Sequence, residues 1–455
     1  SIAGNSAGQF GGGVWNKGTF TMSGGSTADN ASNMEGAGVY AGSEGEITMS
    51  GEAAIGDELF LKETSIIAVG EGFAGSARVT PEKYEVGVRV LAELEEGEFY
   101  DEPTRLAFAI KPTSQFWEVD KDGLLALATD VARVRWGAGA DDFEDFALFA
   151  DAVDKANEMG TATITLLNDV VLTDTAEIES GKTITLTSSG PHGIARGPVH
   201  EGVMLSVYGT LHLVGGGGLT VDGRGVVGTN YNYIAIVRSG GKLTMGSGVT
   251  LTGGRADMGG GVHNSGKFTM EGGTITGNAA SWAGGVYNAP SGTFEMTGGT
   301  ISGNSATDGG GVVNDGMFTM ENGTISGNTA VNGGGVWNIG TFTMTGGTIS
   351  GNTATGYDGG GGGVWNSNTF TMQDGTISGN TATGSDSSGG GVYNNTGATF
   401  TMEDETISGG AITGNTAHRG GGVYNSGTFT MEDGAISGNE ATYGGGVRNA
   451  GTFTM

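Results

Sequence analysis

Few residues in this chain have the types and spacing that chemistry would need. Cleavage of an acidic polysaccharide calls for clustered Asp with Lys or Arg. The candidates are Asp222 with Arg224 in the run VDGRG, Asp141 with Asp142, and the histidines His192, His200 and His212. No paired carboxylates recur beside them at a repeatable spacing, so a catalytic centre is not expected. The chain has no cysteine, which excludes disulfides, thiolate metal sites and a cysteine nucleophile. Acids do recur, at Glu271, Glu321, Asp374, Glu403 with Asp404, and Glu432 with Asp433. Carboxylates stacked on adjacent turns of chain repel, and a Ca²⁺ ion between them would relieve that. The GGxGxD run of calcium-binding rolls is absent. The simpler expectation is a solvated acidic edge, with no metal and no cofactor.

Two further arrays offer contact rather than chemistry. The third position of a recurring GVxN is Trp15, Tyr40, His263, Tyr287, Val313, Trp337, Trp365, Tyr393, Tyr424 and Arg448, and seven of the ten are aromatic. An outward row of Trp15, Tyr287, Trp337, Trp365, Tyr393 and Tyr424 would suit stacking on sugar rings or anchoring a second rod. The plainer reading is that these rings stack on one another in a parallel sheet. The second array is threonine: Thr19 and Thr21, Thr341 and Thr343, Thr369 and Thr371, Thr399 and Thr401, Thr428 and Thr430, Thr452 and Thr454. Such TxT rows resemble those of ice-binding solenoids, although Thr is also an ordinary choice for a solvated strand face. Lys267, Met317 and Glu295 interrupt the row, and His212 stands where Thr stands later.

What would position these side chains is a repeat. Aligned on the Asn that closes GVxN, the column reads Asn264, Asn288, Asn314, Asn338, Asn366, Asn394, Asn425 and Asn449, with steps of 24 to 31 residues. A period in this range means stacked units that build one core together. In GTFTM, Phe342 and Met344 alternate with Thr341 and Thr343, which puts Phe and Met on one face of a strand. Ile349 sits likewise between Thr348 and Ser350. Three strand-like segments per copy, GVWN, GTFTM and GTISGN, with glycine corners and no helical period, predict an all-β fold. The expected form is a right-handed parallel β-helix with three strands per coil and a repeat of about 24 residues. Phe342 should then lie over Phe370 and Met344 over Met372, at roughly 4.8 Å. The buried Asn column should form a ladder of amide hydrogen bonds.

Four segments are expected. Residues 1–53 carry β-helix coils. Residues 54–135 lose the repeat and read as a small inserted β module or irregular coils, with acidic turns such as ELEEGEFYDEP. Residues 136–160 hold a linker and a capping helix over FEDFALFADAVDKANEMG, with Phe143, Phe146, Phe149, Ala150, Val153 and Ala156 at helical spacing. Residues 161–455 form the main parallel β-helix of roughly eleven coils, about 50 Å long. Both ends read as cuts through a continuing array, from a longer protein or from subunits joined head to tail. Insertions gather between GN and GGG, as in TATGYDGG and TATGSDSS, where binding loops would sit.

The pairing of ISGN with a following GGGVYN is similar to the alternating FxxN and GGA repeats of polymorphic outer membrane proteins. More broadly it resembles the adhesin-like repeat proteins of bacteria and archaea with a pectin-lyase-type right-handed β-helix. The resemblance covers residues 1–53 and 136–455 and implies a secreted or surface-displayed stalk or adhesin. Other members of that fold class degrade polysaccharides, which leaves a glycan-binding or glycan-cleaving alternative. The formal charge of −29 argues against nucleic acid or an anionic membrane as partner. The longest apolar runs are far shorter than the ~20 residues that would cross a bilayer. The expected role is an extracellular or cell-surface rod whose partners are itself, end to end or side by side, and glycans or proteins of a host or neighbouring cell.

Overall fold

The computed structural model describes residues 1–43, 45–62, 64–70, 73–82, 89–92, 108–110, 117–119, 123–127, 130–137, 142–197, 200–224, 231–357, 359–403 and 409–455. The turn at 93–103, Asp141 and Asp404 lie outside them. The chain is a β-solenoid of about 15 turns. Each side chain that recurs once per coil meets its own copy in register. Phe268, Phe294, Phe318, Phe342, Phe370, Phe400, Phe429 and Phe453 stack with centroids 4.6 to 5.0 Å apart and planes within 9°. Phe342 pairs with Phe370, Met344 with Met372 and Ile349 with Ile377, and all six are fully buried. The alternate residues Thr341 and Thr343 face outward on the same strand, as a period of two requires.

Three sheets run along the main rod. Val336–Asn338 and its copies form an 11-stranded sheet. The TFTM and TIS segments do not take separate faces but join one 23-stranded sheet, through ten-residue strands Thr341–Ser350 and Thr369–Ser378. A third, 9-stranded sheet comes from the residues just after each GN, such as Thr353–Ala354. The bend between TFTM and TIS is shallow enough for the ladder to continue across a bulge. The corner into the third sheet instead falls at Gly351, φ +62°, and Asn352.

Two contacts explain why corner glycines are fixed. The first residue of the GGG before each VxN has positive φ, +61° at Gly333, while a Cβ on Gly335 would lie 2.6 Å from the Gly363 carbonyl oxygen. From Gly299 to Gly375 the glycine before TIS sits on the methionine of the preceding coil: a Cβ on Gly347 would be 2.7 Å from Met320 Cε, and one on Gly375 would be 2.6 Å from Met344 Cε.

Parallel pairing also runs through the region where the sequence repeat fades. Ala54–Leu61 pairs with Ser26–Ala28 and with Val39–Ala41, and Ser76–Pro81 pairs with Ala54–Leu61. Ile66–Val69 pairs with Glu46–Met49. A separate core of Val39, Ile47, Met49, Leu59, Ile67 and Val79 fills these coils.

The helix is shorter than its sequence pattern. It spans Phe149–Met159 and ends at Gly160 with φ 80°, whereas Phe143–Phe146 is a strand antiparallel to Ala132–Arg135. Phe143 and Phe146 thus belong to an edge strand. The buried helical face is Phe149, Ala152, Val153, Ala156 and Asn157, and Ala150 is exposed. Asn157 does what a preceding coil would do. Its amide donates to the Glu177 carbonyl at 2.8 Å and accepts from the Glu179 N–H at 3.1 Å. It thereby covers the edge strand Ala176–Ile178, which opens the 11-stranded sheet.

Candidate functional site

The interior polar groups are used along the axis. Each Asn of the GVxN column donates from Nδ2 to Oδ1 of the next, from Asn264 to Asn449, at 2.7 to 2.8 Å. The second Nδ2 proton goes to a backbone carbonyl of that next coil, as from Asn338 to Thr369 at 2.8 Å. The Asn residues from 264 to 425 are buried and Asn449 is exposed. A second ladder, absent from the sequence expectations, runs through the Asn that closes each TIxGN or SGN. Asn278, Asn304, Asn328, Asn352, Asn380, Asn415 and Asn439 each present Oδ1 to both the backbone N–H and Nδ2 of the Asn before, except Asn278, which receives the Gly254 N–H. In the first coils the same ladder runs Asn5, Asn30, Asp57. A carboxylate accepts but cannot donate, so Asp57 suits the end of a ladder.

The aromatic row is a half-buried stack. Trp337, Trp365, Tyr393 and Tyr424 are partly covered, Tyr287 is buried, and of the six residues named for contact Trp15 alone is exposed. Trp365 lies 4.3 Å from Tyr393, and Tyr393 lies 5.2 Å from Tyr424 with parallel planes. Val313 is too small to continue the row, and Trp282 from a corner strand reaches across to stack on Trp337 at 5.6 Å. Tyr287, Val313, Ala283 and Ala289 form a small second core there. Most of the area that would meet a ligand meets the next ring instead.

At the head of this row the surface changes character. A recess of about 480 Å³ is lined by Gly202, Tyr233, Ile236, Arg238, His263 and Ser265 among others. Arg238 donates from Nε to Ser206 Oγ at 3.3 Å and lies over the Tyr208 ring at 5.6 Å. Burial holds His263 below the usual imidazole value, against the opposing hydrogen bond of its Nδ1 with the Met258 carbonyl and with a smaller lowering from Arg238. Among the described residues no carboxylate lines the recess. Beneath it the fully buried Arg196 donates to the carbonyls of Gly202 at 2.6 Å and Tyr233 at 2.8 Å. Burial depresses its pKa.

Of the sequence candidates for catalysis, His192, Asp222 and Arg224 share a recess of about 320 Å³ with Asp169. Asp169 accepts from the Gly193 N–H at 2.8 Å, and Asp222 from the Arg224 N–H at 2.7 Å. Each carboxylate thus spends one oxygen on the backbone. His192 Nδ1 is 4.0 Å from Asp169. His200 is buried elsewhere with Nδ1 3.3 Å from the Leu172 carbonyl, and His212 lies in the threonine row between Thr185 and Thr244. That row is in register, with Thr343, Thr371, Thr401 and Thr430 paired in turn. An ion pair of Lys267 with Glu295, 2.7 Å, interrupts its early part. Among the described residues no group of three or more His, Cys, Asp or Glu is placed to hold a metal, and no helix is long and apolar enough to cross a membrane. No protein-family model, curated protein or solved structure matches this chain.

Proposed function

We propose that the chain is an extracellular structural or adhesive rod, acting by rigid display together with self-association or adhesion to a neighbouring surface. The observation that carries this reading is the pair of buried Asn ladders beside one unbroken Phe stack. Almost every recurring polar side chain inside is committed to axial hydrogen bonds, which favours stiffness over chemistry. The variable corners, with Tyr357 71 % exposed, supply the contacts. Electron microscopy over a concentration series should show straight rods that gather side by side or end to end, or that are retained on a glycan-coated surface. Rods that do neither would overturn the adhesive reading, and turnover of a polysaccharide would replace it.

A second reading, glycan binding, draws on the recess at Arg238. An arginine in a recess with no carboxylate among its described lining residues, in a chain of charge −29, and flanked by Tyr208 and Tyr233, matches a ring bearing an acidic group. On an array of acidic and neutral glycans, Arg238→Ala should lower retention of the acidic ones about tenfold. Equal retention by both proteins would remove this reading and leave the rod.

A further inference from the structure

The packing of the methionine column creates a reactive dipeptide. From Gly299 to Gly375 the residue before each TIS is a glycine packed on a methionine: at Gly323 φ is +91° and a Cβ would lie 2.6 Å from Met296 Cε. In one coil the residue before that obligatory glycine is Asn322, which is exposed. The Gly323 N–H does not join the ladder of coils but donates to Asn322's own Oδ1 at 2.8 Å. The nitrogen is therefore held beside Asn322 Cγ. Both flanks are pinned, by the Asn322 N–H on the Met296 carbonyl at 3.2 Å and by the Thr348 N–H on the Gly323 carbonyl at 3.0 Å. Nucleophile and electrophile are thus pre-positioned on a surface open to water.

We infer that Asn322 is a site of spontaneous deamidation, selected by the fold. Hydroxide or water removes the Gly323 amide proton, and the nitrogen adds to Cγ of Asn322. Nδ2 takes a proton from water, the Cγ–Nδ2 bond breaks, ammonia leaves, and a five-membered succinimide remains. Water opens it at either carbonyl, giving aspartate or isoaspartate, with no change of oxidation state. The product at Asn322 carries the carboxylate that the equivalent corners already have. At Asp374–Gly375 and Asp433–Gly434 the glycine N–H likewise donates to the preceding side chain, at 2.6 Å in both. Deamidation adds one negative charge to the acidic edge next to Glu321.

The chain contains its own control. Its other Asn–Gly pair, Asn332–Gly333, has the nucleophile tied up, because the Gly333 N–H donates to the Gly360 carbonyl at 3.0 Å. Its amide is held too, by Asp308 Oδ1 at 2.9 Å. The folded chain, kept for weeks in mildly alkaline buffer and then mapped by peptide mass spectrometry, should gain about one dalton at Asn322. Conversion there should run about tenfold or more ahead of Asn332. In urea the two sites should convert at similar rates. Asn322→Gly, which copies Gly298 and Gly346 of neighbouring coils, should abolish the gain while leaving the circular dichroism unchanged. Equal rates at the two sites in the folded chain, or faster conversion at Asn332, would overturn the inference.

Discussion

Phe342→Ala is expected to destabilise the middle of the rod by about 4 kcal/mol, the middle of the range for emptying an aromatic site. Phe342 is fully buried and stacked on both faces, at 4.6 Å on Phe318 and 4.7 Å on Phe370. The loss combines transfer of the ring, two stacking contacts and a cavity that neighbouring rings fixed by their own ladders cannot collapse into. Thr343→Ala, one residue on and facing outward, should change stability by less than about 0.5 kcal/mol. A solenoid couples each coil mainly to its neighbours, so the reading should be local. Hydrogen exchange of backbone amides in the coils of Phe318, Phe342 and Phe370 should speed up strongly for the first variant and stay the same for the second. Equal effects of the two substitutions would mean that the Phe column is not the core.

Asn352→Ala should cost about 3 kcal/mol, because it leaves buried groups without partners. Asn352 Oδ1 accepts both the backbone N–H and Nδ2 of Asn328, each at 3.0 Å. Its own Nδ2 serves the Ile325 carbonyl at 2.9 Å and Asn380 Oδ1 at 3.0 Å. Asn352→Asp separates the two halves of this role. Ionised, the new side chain still accepts from Asn328 but turns an oxygen toward the Ile325 carbonyl and Asn380 Oδ1. Its folded pKa is therefore raised above the unfolded carboxylate value of about 3.9. The penalty is absent below that unfolded value and grows as pH rises to the folded one. Urea melts should place this variant near wild type at about pH 4 and well below it at pH 7, relative to the wild-type change over the same range. A pH-independent deficit would show that donation along the ladder does not matter.

The periodic part of the structure was legible because each periodic residue meets a copy of itself. Asn338 meets Asn366 and Phe342 meets Phe370 as the spacing predicts. The second ladder was missed although its signal was equally regular. An Asn next to Gly at the end of a strand reads as turn chemistry, and the same residue can close a corner and bridge coils. The sequence predicts a helix that starts too early because Phe143 and Phe146 continue the helical spacing of Phe149 and Val153. Pairing with Ala132–Arg135, distant from the helix in sequence, makes them a strand. For the outward aromatic row the sequence leaves two readings, a contact surface or rings stacked on one another, and Tyr287 and its neighbours satisfy much of their apolar area on one another.

Coil length, the inward and outward faces and the need for a cap follow from periods of two and about 24 along the chain. What the unrepeated residues meet depends on the folded path. Arg238 beside Tyr208, Arg196 beneath Tyr233, and Asn157 on the edge strand have no copies to announce their neighbours. The same holds for the two Asn–Gly pairs, identical as dipeptides, one with its nitrogen inside the hydrogen-bonded ladder and one outside it. A period fixes which residues stack, whereas the path of each corner fixes which backbone groups remain free.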